Sequence, residues 1–363
     1  MPDSAVARSH RSLLSRINLE IREHAPVPQQ VALLAAGLLL GLLVSALILV
    51  SVGVSVSALL NEFVISIVTS SRSMGNVLDR AAPLVIVGLS AAIAFKTRFW
   101  NIGIEGQVIF GAIGATLVAN ADIGPPELRL FTMGAAAMLA GMIWIALPLY
   151  LRLRLRINEI ISTLLMNYIA LNFLLHLLYG PWKDPVTAFP NSKIYEHVER
   201  LGSTGWLNIS TSVAIAMVFV VIVAWIFAAS RFGFLMKFVY ANPAMARAIG
   251  VNVAVLTILA VLASGALSGL AGFAISAGID NRMTQSFFVG YGFSGILIGF
   301  LARNNPIAVV FFAFLISALM VAGQSLQIFY QIPFSIVQLI QATIVICVAA
   351  SEFLIRHRIR FVR

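Results

Sequence analysis

Charge is scarce in this sequence. Asp, Glu, Lys and Arg supply 10% of its 363 residues and hydrophobic types supply 60%. Soluble domains carry about 25% charged residues, and a soluble chain with so little charge cannot cover its own surface. Cysteine is scarcer still. Cys347 stands alone in the last apolar run, so no intrachain disulfide forms, and its thiol reads as a small buried hydrophobe. No apolar–polar alternation runs through the chain, which excludes a transmembrane β-barrel. Metal and nucleophile sets are missing as well. There is no His-x-x-x-His or Cys-x-x-Cys pair, and His10, His24, His176, His197 and His357 are scattered. His176 is expected to be a structural residue facing the helix bundle. The four lysines, Lys96, Lys183, Lys193 and Lys237, follow Phe, Trp, Ser and Met. A phosphate-cradling loop needs Gly-Lys-Ser/Thr, so ATP hydrolysis by that route is excluded. No enzymatic centre, cofactor or metal is expected.

What is present is a series of apolar stretches from Val31 to Leu354, which predicts an all-α, polytopic membrane protein. Ten segments are expected, at 31–53, 81–95, 108–120, 130–150, 158–180, 211–229, 253–278, 288–302, 306–326 and 334–355. The second, third and eighth fall short of the roughly 20 residues of a full span. Ser55–Arg80 is too polar to span and reads as an amphipathic helix on one membrane face. Met1–Gln30 is a cytoplasmic tail, 31–355 the transmembrane domain, and 356–363 a basic cytoplasmic tail. Val31–Val52 is too long for a signal-peptide core and reads as a retained anchor.

The formal charge of +10 does not indicate nucleic-acid binding, because the basic residues cluster at helix ends without interleaved aromatics. With the N-terminus inside, 17 basic residues fall in cytoplasmic segments, among them Arg8, Arg11, Arg16, Arg22 and Arg363, and 7 fall outside. That bias places both termini in the cytoplasm. Ten spans divide five plus five, and an odd number per half forces an inverted repeat. A glycine-interrupted short segment occurs in each half, at Asn101–Gly114 and Gly290–Gly299. Such paired broken segments point to a substrate site at mid-membrane. The outer loop 181–210 is long enough to receive a partner, with Trp182 and Trp206 as interfacial anchors.

Polar residues in apolar surroundings are the candidate site. Asn101, Glu105 and Gln107 suit solute hydroxyls or the cap of a broken helix, or Glu105 balances Lys96 and Arg98 at the membrane face. Asn158 and Glu159 open the fifth segment, where an acid suits the helix dipole. Thr163 and Asn167 stand one turn apart and either bond across helices or line a pathway. Gly290, Tyr291, Phe293 and Ser294 mark the second broken segment, and Phe287, Phe288, Tyr291 and Phe293 offer rings for stacking or for core packing. The cytoplasmic loop 230–252 contains Asn242-Pro243, which predicts a capped short helix over Ala244–Ile249 ended by Gly250. With Ala246 and Arg247 it reads as a docking knob for another protein, the alternative being a plain turn.

Four of these stretches together resemble the permease subunits of bacterial ABC importers. They are Phe99–Gln107, Asn158–Tyr168, Ala241–Gly250 and Gly290–Pro306. The branch that they resemble is the nucleoside and simple-sugar group of the branched-chain amino acid/ribose permeases, over about residues 30–355. Trp100 stands where a common family form has Phe. The resemblance implies a second permease subunit, homologous or identical, and two ATPase subunits contacting Asn242–Gly250. It also implies an extracytoplasmic solute-binding protein that delivers a small solute, in the inner membrane of a bacterium. The alternatives are an ion-coupled secondary transporter using Glu105 and Glu159, and a non-transporting membrane scaffold.

Overall fold

A computed structural model describes residues 17–21, 26–187, 189–205, 209–287 and 290–361. The expectations for Arg8, His10, Arg11, Arg16, Arg22, His24, Trp206, Phe288 and Arg363 lie outside these residues. Fourteen α-helices run in chain order among them: α1 (Val27–Ser51), α2 (Val56–Leu60), α3 (Ser66–Thr69), α4 (Ser71–Phe95), α5 (Ile104–Asn120), α6 (Arg129–Leu155), α7 (Glu159–Tyr179), α8 (Thr211–Ala229), α9 (Arg231–Ala241), α10 (Pro243–Ala248), α11 (Val253–Ile275), α12 (Tyr291–Leu301), α13 (Pro306–Tyr330) and α14 (Phe334–Arg356). Each of the ten expected segments coincides with a helix. Eight helices are long and apolar enough to cross a membrane, whereas α5 and α12 are shorter. The expectation of an all-helical chain needs one amendment. Strands β1 (Ile17–Ile21) and β4 (His357–Phe361) pair antiparallel, as do β2 (Ser203–Thr204) and β3 (Ile209–Ser210).

The chain forms two compact units. Residues 1–59 with 330–363 make one, and residues 60–329 make the other. In the smaller unit, α1 meets α14 through small residues. A Cβ on Gly37 would lie 2.8 Å from the Cys347 carbonyl, and one on Gly41 would lie 2.9 Å from the Ile344 Cα. Small residues permit this close approach, the main source of helix affinity in a bilayer. Cys347 is half-buried at this crossing rather than fully enclosed.

The larger unit is organised around α4, which is buried without a break from Ala81 to Phe95. The segment expected at 81–95 therefore starts ten residues earlier, at Ser71. The stretch expected as one interfacial helix over 55–80 breaks at Ser70, an extended residue whose hydroxyl accepts the Ser73 N–H at 3.3 Å. Hydropathy misses this start because Asp79 and Arg80 are satisfied by distant parts of the chain. The Asp79 carboxylate accepts the Ser210 N–H at 2.7 Å, and the Arg80 guanidinium donates to the Tyr291 hydroxyl at 3.4 Å.

Helices α5, α6 and α11 cross at glycines. A Cβ on Gly269 would collide with the Ala137 carbonyl of α6, and one on Gly111 would collide with the Gly269 backbone. Beyond α11, a π-helical turn (Ser276–Asp280) leads into residues that strap down the 181–210 loop. The Tyr195 N–H donates to the Asn281 carbonyl and the Leu201 N–H to the Ala277 carbonyl, both at 2.9 Å. Tyr195 is fully buried with its hydroxyl against Thr116, and burial pushes that hydroxyl up to about 12. Arg129 at the start of α6 ties the loop further, pairing with Asp122 at 2.8 Å and Glu199 at 3.1 Å.

Candidate functional site

The segment between α4 and α5 is an elbow held from three sides. Phe99 buries its ring against Ile145, Leu149 and Val261, fixing the entry to the turn. Trp100 points the other way, half-exposed and tilted against Phe95 at 5.0 Å, so the indole at this position does not disturb the buried contact. Asn101 and Gln107, both fully buried, bond reciprocally through their amides. Asn101 Nδ2 donates to Gln107 Oε1 at 3.1 Å, and Gln107 Nε2 donates to Asn101 Oδ1 at 2.9 Å. Asn101 Nδ2 also reaches Ser264 Oγ at 3.2 Å, joining a cluster in which Ser90 Oγ lies 2.8 Å from Ser264 Oγ and 2.7 Å from Ser268 Oγ. These amides hold the elbow to α4 and α11, since buried polar groups are stable only when paired.

Helix α7 supplies the third side. Asn167 accepts the Gly106 N–H at 2.8 Å and donates to the Ile102 carbonyl at 2.9 Å, and Thr163 Oγ1 accepts the Ile102 N–H at 3.3 Å. Of the two roles open for Thr163 and Asn167, the structure realises bonding across helices. Gly103 is required here, because a Cβ would lie 2.8 Å from the Thr163 carbonyl. Asn158 caps α7 by accepting the Ile160 N–H at 2.8 Å, and Glu159 pairs with Arg152 at 3.2 Å. An Asn167→Leu variant is expected to lose about 2–4 kcal/mol, because both backbone groups lose their partner in a buried site. A thermal unfolding scan of the purified protein checks it.

Glu105, in the first turn of α5, does not balance Lys96 and Arg98. Its buried carboxylate accepts the Gly292 N–H at 2.6 Å and the Phe293 N–H at 3.2 Å. It thus caps the first turn of α12, which follows Gly290 in the left-handed conformation at φ 80°. Gly292 allows this approach, since a Cβ there would lie 2.5 Å from the Glu105 Cα. Two short helices therefore meet N-terminus to N-terminus, and their positive ends share one carboxylate. Tyr291 and Ser294 are buried at the same junction, Phe293 is half-buried, and Phe287 is core. Of the rings offered for stacking, Phe287 and Tyr291 pack inside the fold.

Within the 230–252 segment the capped short helix forms as expected, ending at Ala248 rather than Ile249, but helix α9 occupies Arg231–Ala241 where a loop was expected. Asn242 Oδ1 accepts the Ala244 and Met245 N–H groups at 2.9 and 3.2 Å, Pro243 opens α10, and Gly250 has φ 86°. Ala246 is buried, while Arg247 is exposed and donates to the Pro243 carbonyl at 3.2 Å. Sequence reasoning missed the contact that ties this segment to the elbow. Arg98, itself left-handed at φ 57°, donates through Nε to the Tyr240 carbonyl at 2.9 Å and through Nη2 to the Ala241 carbonyl at 2.8 Å. The only local signal was a basic residue next to the elbow, which positive-inside counting absorbs.

His176 is a correction. It is exposed on α7 and does not face the bundle interior. The ion-coupled alternative also loses its groups, because Glu105 is spent on α12 and Glu159 on Arg152. Among the described residues no cluster of His, Cys, Asp or Glu is arranged to hold a metal ion.

Among the described residues, eight long apolar helices and two short ones that meet N-terminus to N-terminus define a multi-pass membrane protein. Residues 73–349 match the family described as branched-chain amino acid transport system / permease component, and the chain belongs to it. Its relatives include a protein named as a glucose ABC transporter permease, TsgB13 of Haloferax volcanii, which is 32% identical over 302 residues and 80% of each chain. A guanosine ABC transporter permease protein, NupP of Bacillus subtilis, is 29% identical over 90% of this chain and 93% of its own. A nucleoside ABC transporter permease protein, NupB of Lactococcus lactis, is 28% identical over 86% of this chain and 88% of its own. The chain is accordingly the permease component of an ABC transporter.

Proposed function

We propose that this chain is one of a pair of permease subunits of an importer in the inner membrane of a bacterium, carrying an uncharged nucleoside or simple sugar. Ten spans in two inverted halves place α5 and α12 as the third segment of each half, with both termini in the cytoplasm. Separate ATPase subunits press on α10, with Asn242, Pro243, Ala246, Arg247 and Gly250 shaping the contact. A solute-binding protein delivers solute to the opposite face near the 181–210 loop.

The observation that carries this reading is the carboxylate shared by α5 and α12. Facing helix N-termini attract anions, and transporters of broken-helix design use them to read a substrate's negative group. Here Glu105 fills that role from within the chain, so the junction does not demand an anionic solute. This favours neutral cargo over an amino acid carboxylate, in line with the glucose, guanosine and nucleoside named for the relatives. Asn101, Gln107, Asn158, Glu159, Thr163, Asn167, Gly290, Tyr291, Phe293 and Ser294 then serve the pathway by shaping the elbow and junction, more than by touching solute.

Motion at α10 reaches the elbow through Arg98. An Arg98→Ala variant of the assembled transporter is expected to keep its ATPase activity while uptake falls about tenfold, since the two hydrogen bonds of this exposed guanidinium are together worth about 1.4 kcal/mol. Parallel ATPase and radiolabelled-nucleoside uptake assays in proteoliposomes check it. Uptake driven by an ion gradient without the ATPase would overturn the whole reading.

A further inference from the structure

With Glu105 engaged on α12, the Lys96 ammonium is left to be accounted for. Lys96 follows the last residue of α4 and is half-buried, with Nζ 3.7 Å from the centre of the Phe227 ring. Phe227 belongs to the last turn of α8, so the ammonium stands where that apolar helix ends. The ring recovers part of the hydration lost on burial. Lys237 of α9 works against it. Burial first, and repulsion from Lys237 second, hold the Lys96 ammonium below its usual pKa. Two cations held together at a half-buried place call for an anion, and the chain supplies none nearby. No Asp or Glu occurs between Asp79 and Glu105 or between Glu199 and Asp280. No ion pair among the described residues includes Lys96 or Lys237.

Helix α9 indicates what kind of anion. Ser230 is extended between α8 and α9, and its hydroxyl accepts the Gly233 N–H at 3.0 Å. Gly233 lets the first turn of α9 press on the last turn of α8, where a Cβ would collide with the Ile226 carbonyl. Helix α9 thus begins at the level where α8 leaves the apolar layer. Gly233, Met236 and Val239 are its buried side, while Arg231, Phe234 and Lys237 are exposed on the other. Phe238 lies edge-on to Phe234 at 5.0 Å. Cations interleaved with exposed rings on a short amphipathic helix suit the boundary between lipid headgroups and acyl chains. An acidic protein partner would also meet the charges, but the Phe234 ring, 58% exposed beside them, is matched by acyl chains. We infer that Lys96 and Lys237 together bind the phosphate of an anionic phospholipid, with Phe234 and Phe238 seated against its upper acyl carbons. The inference needs only that α8 spans the bilayer, and it holds whichever membrane face α9 occupies.

The test measures lipid binding to the assembled transporter in detergent by native mass spectrometry, with phosphatidylglycerol as the probe and phosphatidylcholine as the reference. Lys96→Gln/Lys237→Gln is expected to weaken the tightest phosphatidylglycerol site about thirtyfold, roughly fivefold for each charge. Lys183→Gln/Lys193→Gln removes the same charge from the 181–210 loop and should leave that site unchanged. Lys96→Arg/Lys237→Arg keeps both charges and should bind as the unsubstituted protein does, which separates a lost site from a lost fold. An equal fall in both glutamine variants, or a fall in neither, overturns the assignment. Phosphatidylcholine bound as tightly as phosphatidylglycerol overturns it too, since the charge is then not read. Displacement of the lipid by inorganic phosphate would make this a site for free anions instead. Release of the ATPase subunits from Lys96→Gln/Lys237→Gln, with phosphatidylglycerol still bound, would give the pair to an acidic protein partner.

Discussion

Glu105→Ala is expected to abolish uptake while the protein still reaches the membrane. The substitution strands the Gly292 and Phe293 N–H groups in a buried junction. Each buried, unmet donor costs about 1–3 kcal/mol. It also leaves two positive helix ends facing each other with no counter-charge between them. Together these losses are large enough to reduce uptake by about a hundredfold or more, at 1.4 kcal/mol for each factor of ten. Glu105→Gln separates the two contributions, because it keeps an acceptor oxygen and loses only the charge. Its uptake should lie between the wild type and the alanine variant. Equal uptake by Glu105→Ala and wild type would remove the junction from the transport cycle.

The second large effect is expected at the crossing of α6 and α11. A Cβ on Gly269 would collide with the Ala137 carbonyl and lie 3.3 Å from the Gly141 Cα. The obstruction is backbone, which cannot swing aside as a side chain does. Gly269→Ala therefore has to push two helices apart, at about 3 kcal/mol for overpacking of this kind. That corresponds to a fall of about 6–12 °C in the unfolding midpoint, at 2–4 °C per kcal/mol for a unit of this size. Gly202→Ala is the matched control, since nothing lies within 4 Å of its added Cβ. A size-exclusion thermostability assay in detergent compares the two, and equal midpoints would contradict the close crossing.

What the sequence made legible, and what it did not, follows the range of the interactions. All ten apolar segments could be read as helices, because each is a local run of hydrophobic residues. Helix α10 was readable nearly residue by residue, since its cap, its proline and its terminating glycine all act within a few positions. The start of α4 was misplaced because Asp79 and Arg80 look like surface residues until their partners, 131 and 211 positions away, are known. Glu105 was recognised as out of place, and capping was one of the roles open to it. The helix it caps lies 187 positions away, and nothing in the local pattern names that helix. His176 was misjudged for a related reason. Periodicity tells which residues share a helix face, and only packing tells whether that face is covered.

Arg98 grips the end of α9 through the carbonyls of Tyr240 and Ala241, not through their side chains. Every amino acid carries the same carbonyl, so residues 240 and 241 are free to drift without loosening the grip. On the coupling role proposed for α10, its exposed surface can then be rewritten to suit a different engine while the grip behind it stays unchanged. A permease that couples in the proposed way would exchange one ATPase for another by changing its knob alone.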